Sequence, residues 1–244
     1  MSDADEWEAL AALTPARVAL GRAGHALPTK RVLEFQLAHA RARDAVNAPF
    51  DASALARELD ALCLKTLAGS RTDYLANPDL GRTPDAASRA RLVPGAFDAA
   101  LVVADGLSST AIAAHGATLA RLIRASLPEL SWAPVTVVTN GRVAVGDHIA
   151  QALGATLAVV MIGERPGLSA ADSVGLYLTF HPRAGATKDA ERNCISNVRP
   201  DGLALGEAAH RLAWLARHAL KLGATGVDLK EDAPERVTDE SAGG

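Results

Sequence analysis

Three short stretches hold the side chains best suited to chemistry. Asn140-Gly141-Arg142 and Gly163-Glu164-Arg165-Pro166-Gly167 each follow an apolar run, and Cys194 lies in the polar stretch from Asp189 to Asn197. Glu164 beside Arg165 is either a solvated surface pair or a pair that meets a ligand, and the sequence leaves both open. Cys194 reads as a small packed thiol, because no histidine and carboxylate are placed to make it a nucleophile. The histidines at 25, 39, 115, 148, 181, 210 and 218 are scattered, with no H-E-x-x-H spacing and so no zinc site. A G-x-S-x-G elbow, a G-x-G-x-x-G after the first strand and a phosphate-cradling G-x-x-x-x-G-K-[ST] are all absent. The residue chemistry therefore points to ligand-contacting loops, not to acid–base, nucleophilic or metal machinery.

The elements that must position these loops are legible around them. Pro134 to Thr139 and Leu157 to Ile162 are apolar or β-branched throughout, as suits strands covered on both faces of a parallel sheet. Between them Val143 to Leu153 has helical spacing and stops at Gly154. The loops at 140–142 and 163–167 then sit at the carboxyl ends of neighbouring strands, where open α/β sheets bind ligands. Phe97 to Ala104 is an earlier buried strand, followed by Ser108 as cap of a helix to about Leu127. Val174 to Phe180 is expected as a fourth strand at the sheet edge. His181 to Pro200 is expected as a long functional loop. A final helix runs from Leu205 to Leu222, with Gly223 as its stop.

Upstream, residues 1–13 can form an amphipathic helix with Trp7, Leu10 and Leu13 on one side, a docking tail or a frayed end. Residues 14–28 make an irregular arm carrying Arg17 and Arg22. Thr29 is expected to cap a helix from Lys30 to about Val46, burying Leu33, Leu37 and Ala40. A second helix is expected over Asp51 to Ala68, with Leu55, Leu59, Leu62 and Leu67 as its stripe and Cys63 packed beside it. The turn-rich segment Ser70 to Pro94 reads as a linker whose Arg71, Arg82, Arg89 and Arg91 are solvated or make contacts. The expected architecture is α/β: an N-terminal helical segment followed by a Rossmann/flavodoxin-like, mostly parallel sheet with flanking helices. Residues 1–94 form the arm, helical part and linker, 95–230 the α/β domain and 231–244 a disordered acidic tail.

The 244 residues are 49% hydrophobic but only 4% aromatic, so the core is built from Ala, Leu and Val. A net charge of −3 gives no electrostatic case for nucleic acid. Cys63 and Cys194 form no metal-type or disulfide pattern, and no apolar run is long enough for a membrane span. With an acidic amino terminus, the sequence reads as a soluble cytoplasmic chain.

Longer words go further than spacing. FQLAHARARDAV, SRTDYLANPDLGR, VVADGLS, NGRVAVGDHI, IGERPGLSAADSVGLYLTF and DAERNCISNVRPDGL occur in this order, and together they resemble the ethanolamine ammonia-lyase small-subunit family from about Thr14 to Lys230. The resemblance implies an adenosylcobalamin-dependent enzyme that converts ethanolamine to acetaldehyde and ammonia through an adenosyl radical. It implies a large-subunit partner that binds ethanolamine and holds the catalytic residues, so that this chain contributes none and is inactive alone. The family's cobalamin contacts carry over to Val143, Glu164 and Cys194, with Arg142, Arg165 and Asn193 flanking them. The chain has no D-x-H-x-x-G, so the resemblance fits a cobalamin that keeps its own lower ligand. The implied location is the cytoplasm, with a bacterial microcompartment as the alternative.

Overall fold

The computed structural model describes residues 3–14 and 16–234. Helix α1 (Asp3–Ala12) and the exposed helix α2 (Thr29–Asn47) precede the short α3 (Ala52–Leu59) and strand β1 (Leu62–Lys65). Next come α4 (Arg71–Ala76), a 3-10 turn at Pro78–Arg82 and α5 (Ala86–Arg89). The central run is β2 (Phe97–Ala104), α6 (Ser109–Ser126), β3 (Thr136–Thr139), α7 (Val145–Leu153) and β4 (Ala155–Gly163). The chain finishes with β5 (Val174–Phe180), β6 (Arg192–Val198) and α8 (Leu205–Leu222).

The six strands form one sheet in the order β1-β3-β2-β4-β5-β6. Strands β1 to β4 are parallel, whereas β5 and β6 run antiparallel to their neighbours. The sheet is therefore mixed, with three parallel pairings and two antiparallel ones. Strand β5 packs on both faces, with Val174, Leu176 and Leu178 in the α8 core and Tyr177 against the α7 core, so no polar face marks it as antiparallel. Helices α3, α6 and α8 share one core with Leu101, Val103, Val159 and Met161. Helix α7 covers the opposite face, with Val145 and Ile149 against Val102, Val138 and Val160.

Several local expectations hold. Ser108 accepts a hydrogen bond from the Ala111 N–H and starts α6. Gly154 and Gly223 adopt left-handed φ values of 73° and 76° and terminate α7 and α8.

Others change. Thr29 is the first residue of α2, and no side chain caps that helix. Of the residues expected to be buried there, Leu33 and Leu37 are 57% and 53% exposed; only Ala45 is buried. The expected helix 51–68 ends at Leu59, where Asp60 turns left-handed (φ 49°) and its N–H caps the last carbonyls. Leu62–Lys65 then pairs with β3, and Cys63 packs against the larger core.

Strand β5 is internal, and the edge belongs to β6, which occupies part of the expected 181–200 loop. The polar residues of β6 hide its alternation, because the inward Arg192 is neutralised inside the protein. Its guanidinium forks onto Asp147, donating Nη1 to Oδ1 at 2.7 Å and Nη2 to Oδ2 at 2.6 Å. The tail residues beyond 234 lie outside the described part of the chain. No helix among the described residues is long and apolar enough to cross a membrane.

Candidate functional site

The chain direction reverses across the centre of the sheet. From β2 the first crossover goes outward to β3; the next passes back over β2 to reach β4 on its other side. A crevice opens at such a switch point, beyond the carboxyl ends of β2 and β4. Its floor is backbone on backbone. Leu107 N–H donates to the Gly163 carbonyl at 2.9 Å, and a Cβ on Gly163 would strike the Asp105 and Ser108 carbonyl oxygens.

A cavity of 220 Å³ sits at this point, lined among others by Tyr74, Leu107, Arg142, Val143, Glu164 and Tyr177. A wider hollow of 370 Å³ near Gln151 and His181 lies at the amino-terminal end of β4, where the topology creates no crevice. The smaller cavity is the better candidate, because apolar walls and convergent polar groups meet there.

Each wall has a structural cause. Val143 lies in the turn that leads into α7, where its carbonyl accepts from the Gly146 N–H at 3.0 Å. Asn140 is held left-handed (φ 54°), and its side chain donates to the Ala68 carbonyl. Gly141 N–H donates to Asp105 Oδ1 at 3.1 Å. Burial pushes the Asp105 carboxyl up, against the opposing pull of the backbone N–H groups of Asn140, Gly141 and Gly106 and of Arg71.

Glu164 begins the β4–β5 connection, and its backbone N–H donates to the Ser173 carbonyl at 3.0 Å. Its Oε2 accepts from the Asn197 N–H at 3.0 Å, so the carboxylate is anchored at one oxygen. Cys194 sits on β6 directly across from Tyr177. The structure thus brings Val143 and Glu164 to one cavity. It places Cys194, an exposed residue, behind the Tyr177 wall. Desolvation pushes the Cys194 thiol up, and burial together with that thiol and Glu164 pushes the Tyr177 phenol up. Of the flanking residues, Arg165 lines the cavity, while Asn193 turns away to donate to the Leu229 carbonyl at 2.7 Å.

The expected linker supplies what the loops alone did not reveal. Tyr74, on α4, is fully buried and donates its hydroxyl to the Gly141 carbonyl at 3.1 Å. Two guanidiniums pack on its ring, Arg71 at 4.9 Å and Arg142 at 4.3 Å from the centroid. Desolvation pushes the Tyr74 phenol up to about 12, in opposition to Arg142. Arg71 is largely satisfied, donating to the Val46 and Gly106 carbonyls at 2.7 Å each. The arginine content of SRTDYLANPDLGR raised contacts as one reading, but nothing local in it singles out Tyr74.

The family model described as "Ethanolamine ammonia-lyase light chain (EutC)" matches residues 4–230. The chain belongs to the ethanolamine ammonia-lyase light-chain family. An ethanolamine ammonia-lyase small subunit from Azotobacter vinelandii is 50% identical, over 98% of this chain and 93% of its own length. The Ralstonia nicotianae small subunit is 52% identical, over 93% and 88% respectively. That of Pseudomonas fluorescens Pf0-1 is 50% identical, over 97% and 91%. Light-chain family membership therefore covers both the sheet and the segment that carries Tyr74.

Proposed function

We propose that this chain is the small subunit of an adenosylcobalamin-dependent ethanolamine ammonia-lyase and completes the cofactor site on a large catalytic subunit. The enzyme converts ethanolamine to acetaldehyde and ammonia, with ethanolamine held by the large subunit. In this reading Val143, Glu164 and Cys194 contact the corrinoid, and no residue of this chain acts as acid, base or nucleophile. Residues 95–230 are the main cofactor-binding unit, with a Rossmann-like β3-β2-β4 centre, and 1–94 are the arm, helical part and linker, the last of which adds Tyr74 to the same cavity. A cytoplasmic location, with a microcompartment as the alternative, belongs to the same reading.

The observation that carries the proposal is the cavity itself. At 220 Å³ and open to solvent, it has room for an edge of a ligand and not for a whole corrinoid, and in this reading the large subunit supplies the rest of the enclosure. Its chemistry suits such an edge. Leu107, Val143 and Ile162 offer apolar contact, Glu164 retains a free acceptor oxygen for amide or hydroxyl donors, and the buried Arg142 Nε lacks a partner. Adenosylcobalamin, when bound, supplies the radical chemistry. This chain's residues position it and exclude water from its edge.

Co-expression with the candidate large subunit tests the proposal. A complex purified through a tag on this chain is expected to form acetaldehyde from ethanolamine only with both chains and adenosylcobalamin present. Failure of the two chains to co-purify would refute it. Glu164→Ala is expected to leave the subunits associated while weakening cobalamin retention about tenfold, the order expected for one charge-assisted hydrogen bond. Unchanged retention would remove Glu164 from the site.

A further inference from the structure

Arg142 is out of balance with its surroundings. It is half-buried at the mouth of the switch-point crevice, and its Nε is fully shielded from solvent without a hydrogen-bond partner. Among the described residues its guanidinium has no ion pair and no hydrogen bond; only the Tyr74 ring holds it, at 4.3 Å. The carboxylates nearby do not neutralise it. Asp105 is paired with Arg71, and Glu164, though it lines the same cavity, is anchored to the Asn197 N–H and makes no ion pair with Arg142 among the described residues. Arg71 on the same ring adds a second positive charge and leaves its own Nη2 buried and unpartnered.

The arrangement nonetheless fixes Arg142 in place. The Arg142 N–H donates to the Gly81 carbonyl at 2.8 Å, and a Cβ on Gly81 would approach both the Tyr74 ring and the Asn140 carbonyl to 2.8 Å. The turn at Pro78–Arg82 therefore presses Tyr74 against the 140–142 loop. Tyr74 spends its hydroxyl on the Gly141 carbonyl and offers only its ring to Arg142. A planar guanidinium stacked on an aromatic ring keeps its edge nitrogens free in a fixed plane, a geometry suited to two oxygens of one anion.

From this geometry we infer that Arg142, clamped on Tyr74, is an anion subsite that receives the phosphodiester of the corrinoid's nucleotide tail. The inference rests on the cobalamin reading above and adds an orientation to it: the tail lies toward the Arg142 wall and the amide fringe toward Glu164. The phosphodiester is the fixed anionic group of such a ligand, whereas the corrin amides are neutral and place a lesser demand on an uncompensated charge.

The test measures binding to the co-purified two-subunit complex by equilibrium dialysis, read by corrinoid absorbance, with no turnover required. Two probes are compared: cyanocobalamin, which has the nucleotide tail, and dicyanocobinamide, which lacks it. Arg142→Ala is expected to weaken cyanocobalamin binding tenfold to a hundredfold and leave dicyanocobinamide unchanged, with Arg142→Lys between Ala and wild type. Should Arg142→Ala fail to assemble, the uncharged Arg142→Gln takes its place. Equal weakening of both probes would overturn the phosphodiester assignment in favour of a corrin carbonyl. No weakening of either would overturn the subsite altogether. A wild-type complex that binds neither probe would remove the cobalamin reading and this inference with it, an outcome distinct from the other two because it appears before any substitution.

Discussion

Two arginines mark two different uses of the same side chain. Arg192 and its partner Asp147 have side chains only 3% and 2% exposed, and the guanidinium is forked onto the carboxylate with Thr179 Oγ1 as a further acceptor at 3.0 Å. Burial works against its charge, yet Asp147 holds the Arg192 pKa above its ordinary value. Arg142 has the opposite environment: an aromatic ring beneath it, an open cavity in front and no ion pair among the described residues. The chain neutralises the first arginine internally and leaves the second for something else. The Arg192 pair ties β6 to α7, and so holds the strand of Cys194 against the helix that follows Val143. It is part of the scaffold, whereas Arg142 belongs to recognition.

The contrast can be broken from either side. Asp147→Ala strands a buried positive charge and is expected to cost about 3–5 kcal/mol in urea unfolding of the complex. Replacing both partners at once, as Asp147→Leu with Arg192→Met, is expected to recover most of that loss, because no charge remains buried. If the single and double variants lose equally, the pair's role is packing and not charge.

The phenols sharpen the comparison next. The chain has two tyrosines, Tyr74 and Tyr177, and both are held above the usual phenol range. With Tyr74 at about 12 in the folded state and about 10 when unfolded, the folded chain binds the extra proton between those values. The stability this provides is fully present below pH 10 and is lost as the pH rises toward 12. At about 1.4 kcal/mol per pH unit the loss is of order 2–3 kcal/mol. Phenolate absorbance near pH 10.5 is expected to be nearly absent in folded protein and strong in urea-unfolded protein. Early ionisation of one tyrosine would mean that Arg142 and Arg71 outweigh burial at Tyr74.

The smallest expected effect completes the contrast. Arg142→Ala removes a charge held only by the Tyr74 ring among the described residues, so its cost to unfolding stability is expected to stay below about 1 kcal/mol. A loss comparable to that of Asp147→Ala would show that Arg142 serves the fold and would count against its role in recognition.

The parts of the fold legible in the sequence are those where local signals agree with the final packing. Strands β2 and β4 are apolar runs buried on both faces, and α7 and α8 end on glycines that take the left-handed geometry. The loops at the ends of β3 and β4 were legible for the same reason, since the strand pattern fixes which loops reach the sheet's carboxyl edge, whereas Val143 and Glu164 within that region were singled out by the family resemblance. Strand β1 was missed because Leu62 continues the helical spacing of Leu55 and Leu59, and only the left-handed Asp60 interrupts it. Strand β6 was missed because its inward arginine reads as solvated until Asp147 is brought beside it. Tyr74 was missed because its importance comes from Gly141 and Arg142, distant in sequence, and not from its neighbours.

Strand β1 has a consequence for how the chain is made. It lies at one edge of the sheet, and its sole neighbour there is β3. During synthesis β1 emerges first, and β2, α6 and then β3 must follow before it has anything to pair with. The first strand translated therefore waits longest for its partner, because its closure needs the most sequence-distant pairing in the sheet. Until the ribosome has passed Thr139, Leu62 and Leu64 stay uncovered, which makes that interval of translation the one most open to wrong pairing.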